Sequence, residues 1–379
     1  MPPIVIDLKN AVDGRDVVHQ AVEALSSGKI VALPTETVYG LAASALRTDA
    51  VKRLSQLKGR PPGKPFSFAI KSLDDALDYI PDMSPLARRL ARRCWPGPIT
   101  LVLDDSHPDS VISRLPEEVR QLTIPGTTVG LRVPAHDVTL AILRLLAGPI
   151  VLTSANLSQQ EDCIEGQQII DQLGDEIDLI LDDGKSRFGQ ASSVVRVSGN
   201  KTQMLRAGVI DESTLNRLSG FIAIVVCTGN TCRSPMGEAI LRKLIAERIG
   251  CKIEELEEKG VTVMSAGIAA MSGAPAASQA VKVMERQGLD ISNHSSQPLT
   301  ERLAKFADYI FTMTDSHRQA VSGTWPETTP RTHLIRRDGA NVSDPIGQSV
   351  TVYQSTAEQI EANLKGWVDE IDFSKFILE

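Results

Sequence analysis

Cys227 and Arg233 are the two residues of this 379-residue chain whose spacing most plainly suggests chemistry. They bracket the run Cys227-Thr228-Gly229-Asn230-Thr231-Cys232-Arg233-Ser234-Pro235. A thiolate can attack phosphorus and carry a phosphoryl group covalently. A guanidinium is a planar fork that matches phosphate oxygens two at a time. The elements on either side would position them. Before Cys227 lies the apolar, β-branched run Ile222-Ala223-Ile224-Val225-Val226, which predicts a buried strand. After Pro235, residues Ile240, Leu241, Leu244, Ile245 and Ile249 recur at helical spacing. Pro235 falls in the first helical turn, where its missing N–H costs nothing. Strand, tight loop and helix together aim backbone N–H groups and the positive helix end at whatever sits above Cys227. Such a field favours a thiolate. Catalysis is therefore assigned to Cys227 and Arg233, with Thr228, Gly229, Asn230, Thr231, Cys232 and Ser234 forming the phosphate cradle between and beside them. Two cysteines buried as small hydrophobes would not explain why Gly, Asn, Arg, Ser and Pro gather there.

This stretch resembles the low-molecular-weight protein tyrosine phosphatase family, and the resemblance continues through Ser265-Ala266-Gly267, Ser296-Gln297-Pro298, Ala307 to Thr314, and Ser343-Asp344-Pro345. It implies that Cys227 is the nucleophile, that Arg233 binds the phosphoryl group and that Ser234 stabilises the thiolate. Asp344 would be the general acid, because the leaving group departs badly unless protonated. No cofactor is implied. Tyrosine-directed members follow Asp-Pro with aromatic residues, whereas Ile346-Gly347-Gln348-Ser349 follows here, and Thr231 stands where those enzymes carry a larger apolar residue. Both features resemble the bacterial protein-arginine phosphatase branch, which implies phosphoarginine on protein substrates. A plain tyrosine phosphatase is the alternative. An arsenate reductase on the same loop would need resolving thiols downstream, and no Cys follows Cys251.

The first part of the chain carries a second set of candidates. A helix is expected around Val17 to Leu25, a strand over residues 29–33 and a helix from Asp49 to Leu57. Lys58 and Arg60 then lie two apart before Pro61, which disfavours helix, so they fall in an extended or turn segment, and an extended one would let both cations meet one anion. The strand Pro149 to Thr153 ends at Ser154-Ala155-Asn156, at the strand end where open α/β sheets hold ligands. With Thr35, Arg132, Ser192-Ser193 and Leu205-Arg206, these segments resemble the threonylcarbamoyl-adenylate synthase (YrdC-like) family over residues 10–210. The resemblance implies ATP binding by Lys58, Arg60, Ser154, Asn156 and Arg206, and threonine or carbamate binding by Thr35, Arg132 and Ser192. It further implies L-threonine, bicarbonate and ATP as substrates, with Mg²⁺ on the triphosphate, and a transferase partner that passes the product to tRNA. Phe66-Ser67 stands where archaeal-type members carry a His, and Ala191 and Ala207 replace a usual Glu and Pro. The competing reading is a non-catalytic RNA-binding module using Arg88, Arg89, Arg92 and Arg93, although that run reads more simply as a solvated helix face.

Composition sets the frame. The chain is long enough for two domains, and its 42% apolar and 23% charged residues are ordinary for a globular protein. Net charge is −7, with 23 basic against 25 acidic residues up to position 210 and 17 against 22 beyond it, so neither part is broadly basic. Five scattered cysteines give no disulfide framework, and no metal-ligand cluster stands out. No apolar run approaches the ~18 residues that would span a membrane, and the start Met1-Pro2-Pro3 lacks a signal pattern, so a cytoplasmic location is expected. The expected organisation is a mixed, twisted α/β sheet domain over 1–210, a linker over 211–220 containing a short helix, and a small doubly wound parallel-sheet domain over 221–379.

Overall fold

The computed structural model describes residues 2–59, 65–124, 126–157 and 160–376. Contacts divide the chain into two compact units, Met1–Leu215 and Asn216–Glu379. The division falls within the short helix Glu212–Ser219, in the segment where the sequence predicts one.

In the first unit β1 (Ile4–Asp7), β2 (Val31–Leu33), β3 (Gly40–Ser44), β4 (Ser67–Ala69) and β5 (Ile99–Asp104) are followed by β6 (Thr128–Arg132) and β7 (Ile150–Ser154). β8 (Leu179–Asp182), β9 (Ser193–Ser198) and β10 (Lys201–Arg206) complete it. Among the described residues they form one ten-stranded mixed sheet in the order β1-β8-β2-β3-β7-β4-β6-β5-β9-β10. The central strands β2 and β3 are buried on both faces, as their unbroken small and branched apolar residues require. β7 lies antiparallel to both β3 and β4, which sets Gly40 opposite Ser154. A Cβ on Gly40 would come within 2.7 Å of Leu152, so this strand pair admits only glycine there without rearrangement.

One expectation is narrowed and one corrected here. Of the extended or turn segment expected around Lys58, the turn is what forms: Lys58 follows the helix Thr48–Leu57 with φ −74° and ψ −11°, and Gly59 takes φ 51° after it. Arg60 lies outside the described residues. The arginines of the helix Pro85–Cys94 are not a solvated face: Arg89 and Arg93 are only 3% and 5% exposed, leaving Arg88 on the surface. A helix whose cations point inward on two of four positions offers little to an RNA backbone.

The second unit is a four-stranded parallel sheet, β12-β11-β13-β14, formed by β11 (Phe221–Cys227), β12 (Val261–Gly267), β13 (Tyr309–Thr312) and β14 (Thr332–Leu334). Strand alternation divides its core in two. Ala223, Val225 and Cys227 face Met236, Ile240 and Leu244 of the helix Arg233–Ile249, while Ile222, Ile224 and Val226 face Leu299, Ala304 and Val321. Helices thus cover both faces, as a doubly wound parallel sheet requires. Gly237 lets the first of these helices close on β11, since a Cβ there would meet Val225 at 2.9 Å and Met313 at 3.1 Å.

Candidate active sites

The Cys227 site is built from strand ends. β11 delivers Cys227 at its last residue, and the loop turns at Asn230, the single non-glycine residue with positive φ (56°) among those described. Asn230 holds that conformation because every polar atom it has is used. Its N–H donates to Cys227 Sγ at 3.2 Å, and its Nδ2 donates to Ser234 Oγ (2.9 Å) and Ser265 Oγ (2.8 Å). Its Oδ1 accepts from the Gln297 N–H, and its carbonyl lies 2.7 Å from His294 Nε2. Ser234 Oγ lies 2.9 Å from Cys227 Sγ. Cys227 is 3% exposed, and an N–H and a hydroxyl face its sulfur. Arg233 is buried at the first residue of its helix, with Nη1 on the Val342 carbonyl (3.1 Å) and Nη2 on Asp344 Oδ2. The expected phosphate-binding arginine and acid therefore meet, although Asp344 lies 111 residues beyond Arg233, and Arg233 opens the helix that follows the Cys227 loop.

Other loop residues take individual places. Gly229 stays clear of neighbours, with only Thr231 Oγ1 near a notional Cβ. Thr231 is half-buried, accepts from the Ala277 N–H through its carbonyl and turns its hydroxyl toward Cys232 Sγ at 3.7 Å. Cys232 Sγ lies 3.2 Å from the hydroxyl of Tyr353, whose pKa is raised by burial and by that contact. Thr228 Oγ1 lies 2.9 Å from Nε2 of His317, a residue the sequence analysis does not single out. The available signal was the run Thr314-Asp315-Ser316-His317, a helix cap with His in the first turn.

In the first unit, Thr35, Lys58, Arg132, Ser154, Asn156, Ser192 and Arg206 all line one cavity of about 600 Å³. Residues spread over some 170 positions of sequence converge because β3, β7, β4, β6, β5, β9 and β10 lie side by side in the sheet. Lys58 Nζ donates to the carbonyls of Ser154 (2.9 Å) and Asn156 and to Asn156 Oδ1 (2.8 Å), so it braces the turn after β7. Arg132 Nη2 is held by Glu36 Oε1 (2.7 Å) and Thr37 Oγ1 (2.8 Å), with Glu36 anchored in turn by the Ala135 N–H. Arg206 donates to the Ser192 carbonyl and hydroxyl; burial lowers its pKa, and Asp162 opposes that. Ser192 also lies 3.2 Å from Thr100 Oγ1. Asp162, on the cavity wall, and Glu36, buried behind Arg132, are absent from the sequence-derived set, because an acid beside a pocket for anions looks unsuited until its arginine partner is seen. Among the described residues no three His, Cys, Asp or Glu side chains converge as a metal site.

Comparison with known proteins decides the assignment. Residues 23–208 match the Sua5/YciO/YrdC family, described as telomere recombination, and residues 223–375 match the low molecular weight phosphotyrosine protein phosphatases. The threonylcarbamoyl-AMP synthase of Pyrococcus abyssi is 32% identical over 262 residues, covering 64% of this chain and 74% of that protein. The probable low molecular weight protein-tyrosine-phosphatase EpsP of Ralstonia nicotianae is 36% identical over 149 residues, 39% of this chain and 94% of that protein. The chain belongs to both families. It joins a Sua5/YrdC domain to a low-molecular-weight phosphatase domain. A solved structure of a Pyrococcus abyssi Sua5 variant covers 82% of this chain and 99% of its own, with 25% identity and a TM-score of 0.52. The seven cavity residues thus lie in the synthase-family domain, and Cys227, Arg233 and Asp344 in the phosphatase-family domain. No helix among the described residues is long and apolar enough to cross a membrane.

Proposed function

We propose that the chain is a bifunctional enzyme. Its phosphatase-family domain would remove phosphoryl groups from proteins, with phosphoarginine preferred. Cys227 Sγ attacks phosphorus while the bond from phosphorus to the leaving nitrogen breaks and Asp344 gives its proton to that nitrogen. Arg233 and the loop amides bind the three equatorial oxygens. Water then attacks the cysteinyl-phosphate with Asp344 as base, releasing phosphate and the thiolate. The observation that carries this reading is the grouping of the Cys227 sulfur, its two donors and the Arg233–Asp344 pair. The phosphoarginine preference rests on the small polar Thr231 and on Ile346, 66% exposed, in place of an aromatic wall. Phosphate release from phosphoarginine and phosphotyrosine peptides, measured side by side, tests it; a phosphotyrosine preference refutes the substrate choice and leaves the cysteine chemistry standing.

The synthase-family domain would condense L-threonine, bicarbonate and ATP to threonylcarbamoyl-AMP and pyrophosphate, for transfer to tRNA by a partner enzyme. Support comes from the convergence of Thr35, Lys58, Arg132, Ser154, Asn156, Ser192 and Arg206 on one cavity of suitable size. In this reading ATP arrives as its Mg²⁺ complex, and Asp162 is the carboxylate on the cavity wall able to face that ion. The domain's own contribution is positioning: Arg132, aligned by Glu36, meets a carboxylate, and Arg206 meets phosphate. Pyrophosphate release that needs both threonine and bicarbonate tests the reading. Turnover without either would refute it.

A further inference from the structure

The catalytic loop is tied to its surroundings on two sides, and the two sides differ. From the β12 side, the N–H groups of Ile268 and Ala269 donate to the carbonyls of Cys227 and Thr228, and Ser265 and Gln297 grip Asn230. The ties to Cys227 and Thr228 on this side are backbone bonds. From the β13 side the tie is a side chain. β13 pairs in parallel with β11, and Met313 N–H donates to the Val226 carbonyl, which brings the chain beyond β13 level with the loop. Thr314 caps the helix Asp315–Thr324 by accepting from the His317 N–H. That turn places the imidazole, only 4% exposed, between two hydroxyls: Nε2 lies 2.9 Å from Thr228 Oγ1 and Nδ1 lies 2.9 Å from Thr314 Oγ1.

We propose that His317 is a positioning residue for the phosphatase loop, fixing Thr228 through its imidazole so that the loop amides meet phosphate already in place. A neutral imidazole suits this task, because it has one N–H to donate and one lone pair to accept, matching a hydroxyl on each side. Burial, then the positive Arg233, push its pKa down to about 4, with Asp344 opposing. On the helix that carries it, the nearest charges, Asp315 and Arg318, bond each other. His317 does not touch the reacting atoms; it acts through Thr228.

The proposal rests on the cysteinyl-phosphate reading, so the test keeps the two apart. Loop amides hold phosphate equally in the bound substrate and in the transition state, so loosening them weakens binding more than the chemical step. His317→Leu is expected to raise KM, and the inhibition constant of inorganic phosphate, about tenfold, with kcat within about threefold. Thr228→Val, which keeps the shape and removes the hydroxyl, should do the same, and the double variant should be no worse than either single change. His317→Gln, whose amide reaches the same hydroxyl, should recover most of the loss. Unchanged phosphate inhibition in the Leu and Val variants, additive losses, or failure of Gln to rescue would each overturn the assignment and leave His317 as packing. Should His317→Leu not fold, Thr228→Val alone decides. Absence of phosphate release by the wild-type chain would refute the underlying phosphatase reading, whereas calorimetric phosphate binding would still read the His317 contribution.

Discussion

Replacing Asp344 by Asn should move two observables in opposite directions. In the free enzyme the Arg233 guanidinium is shared between the Val342 carbonyl and the Asp344 carboxylate. Phosphate cannot take the full fork until Asp344 lets go. The side chain of Arg233 is 6% exposed and that of Asp344 45%, so the pair is half in water. An ion pair of that kind contributes about 1 kcal/mol, equivalent to roughly fivefold in an equilibrium constant. Asp344→Asn should therefore tighten inorganic phosphate binding about fivefold, read by titration calorimetry at low ionic strength. Turnover of a phosphoarginine peptide should fall by roughly 10²–10⁴, the usual contribution of a placed general acid. p-Nitrophenyl phosphate, whose leaving group needs little protonation, should lose much less in the first step. Weaker phosphate binding would show that Asp344 does not compete for Arg233. Turnover of the peptide within tenfold of wild type would show that it is not the acid.

Cys227→Ser is expected to abolish turnover while leaving phosphate binding measurable; residual steady-state release would rule out a cysteinyl intermediate. Thr231→Ile should shift the ratio of phosphoarginine to phosphotyrosine hydrolysis toward phosphotyrosine, and an unchanged ratio would mean that Thr231 does not shape the substrate wall. His317 has its folded-state pKa lowered from 6.5 to about 4, so the stability linked to it is complete above pH 6.5 and is lost as pH falls toward 4. That loss amounts to about 3 kcal/mol at most, and His317→Gln should flatten denaturation midpoints over this window. In the synthase-family domain, Asn156→Ala removes an acceptor for Lys58 and Ser154 and a donor to the Gln160 carbonyl. It should destabilise that domain by about 2–3 kcal/mol and raise KM for ATP, as followed by thermal unfolding and pyrophosphate release.

Local elements were readable because they depend on local signals. The Phe221–Cys227 strand and Arg233–Ile249 helix follow from a β-branched run and a helical period, and the cavity-lining end of β7 from its small polar residues. What escaped depends on strand order, which periodicity does not encode. His317 reaches Thr228 only because β13 lies beside β11, and Glu36 meets Arg132 across 96 positions of sequence. Local signals also could not choose between extended and turn conformations after a helix: Pro61 allowed either at Lys58, and the turn that forms leaves Lys58 to reach back toward β7. The burial of Arg89 and Arg93 was hidden for a related reason, since four arginines in a ten-residue helix look like a surface until the neighbouring layers are placed.

The two sheets also differ in the order in which a ribosome would deliver their strands. In the phosphatase-family domain the first strand made, β11, is central, and each later strand adds beside one already present. That sheet can grow outward as the chain emerges. In the synthase-family domain β1 is made first but pairs with β8, with Ile4 opposite Leu179, and β7 must be inserted between β3 and β4 long after both exist. The edges of β3 and β4 stay open until residue 154 has been synthesised, and β1 has no partner until residue 182. Such long-range pairing folds slowly and leaves strand edges free to find other chains. The N-terminal domain is thus the one for which translation speed and chaperone capture should govern yield, whereas the C-terminal sheet can assemble strand by strand and waits only for the helix Val350–Glu370 to close its core.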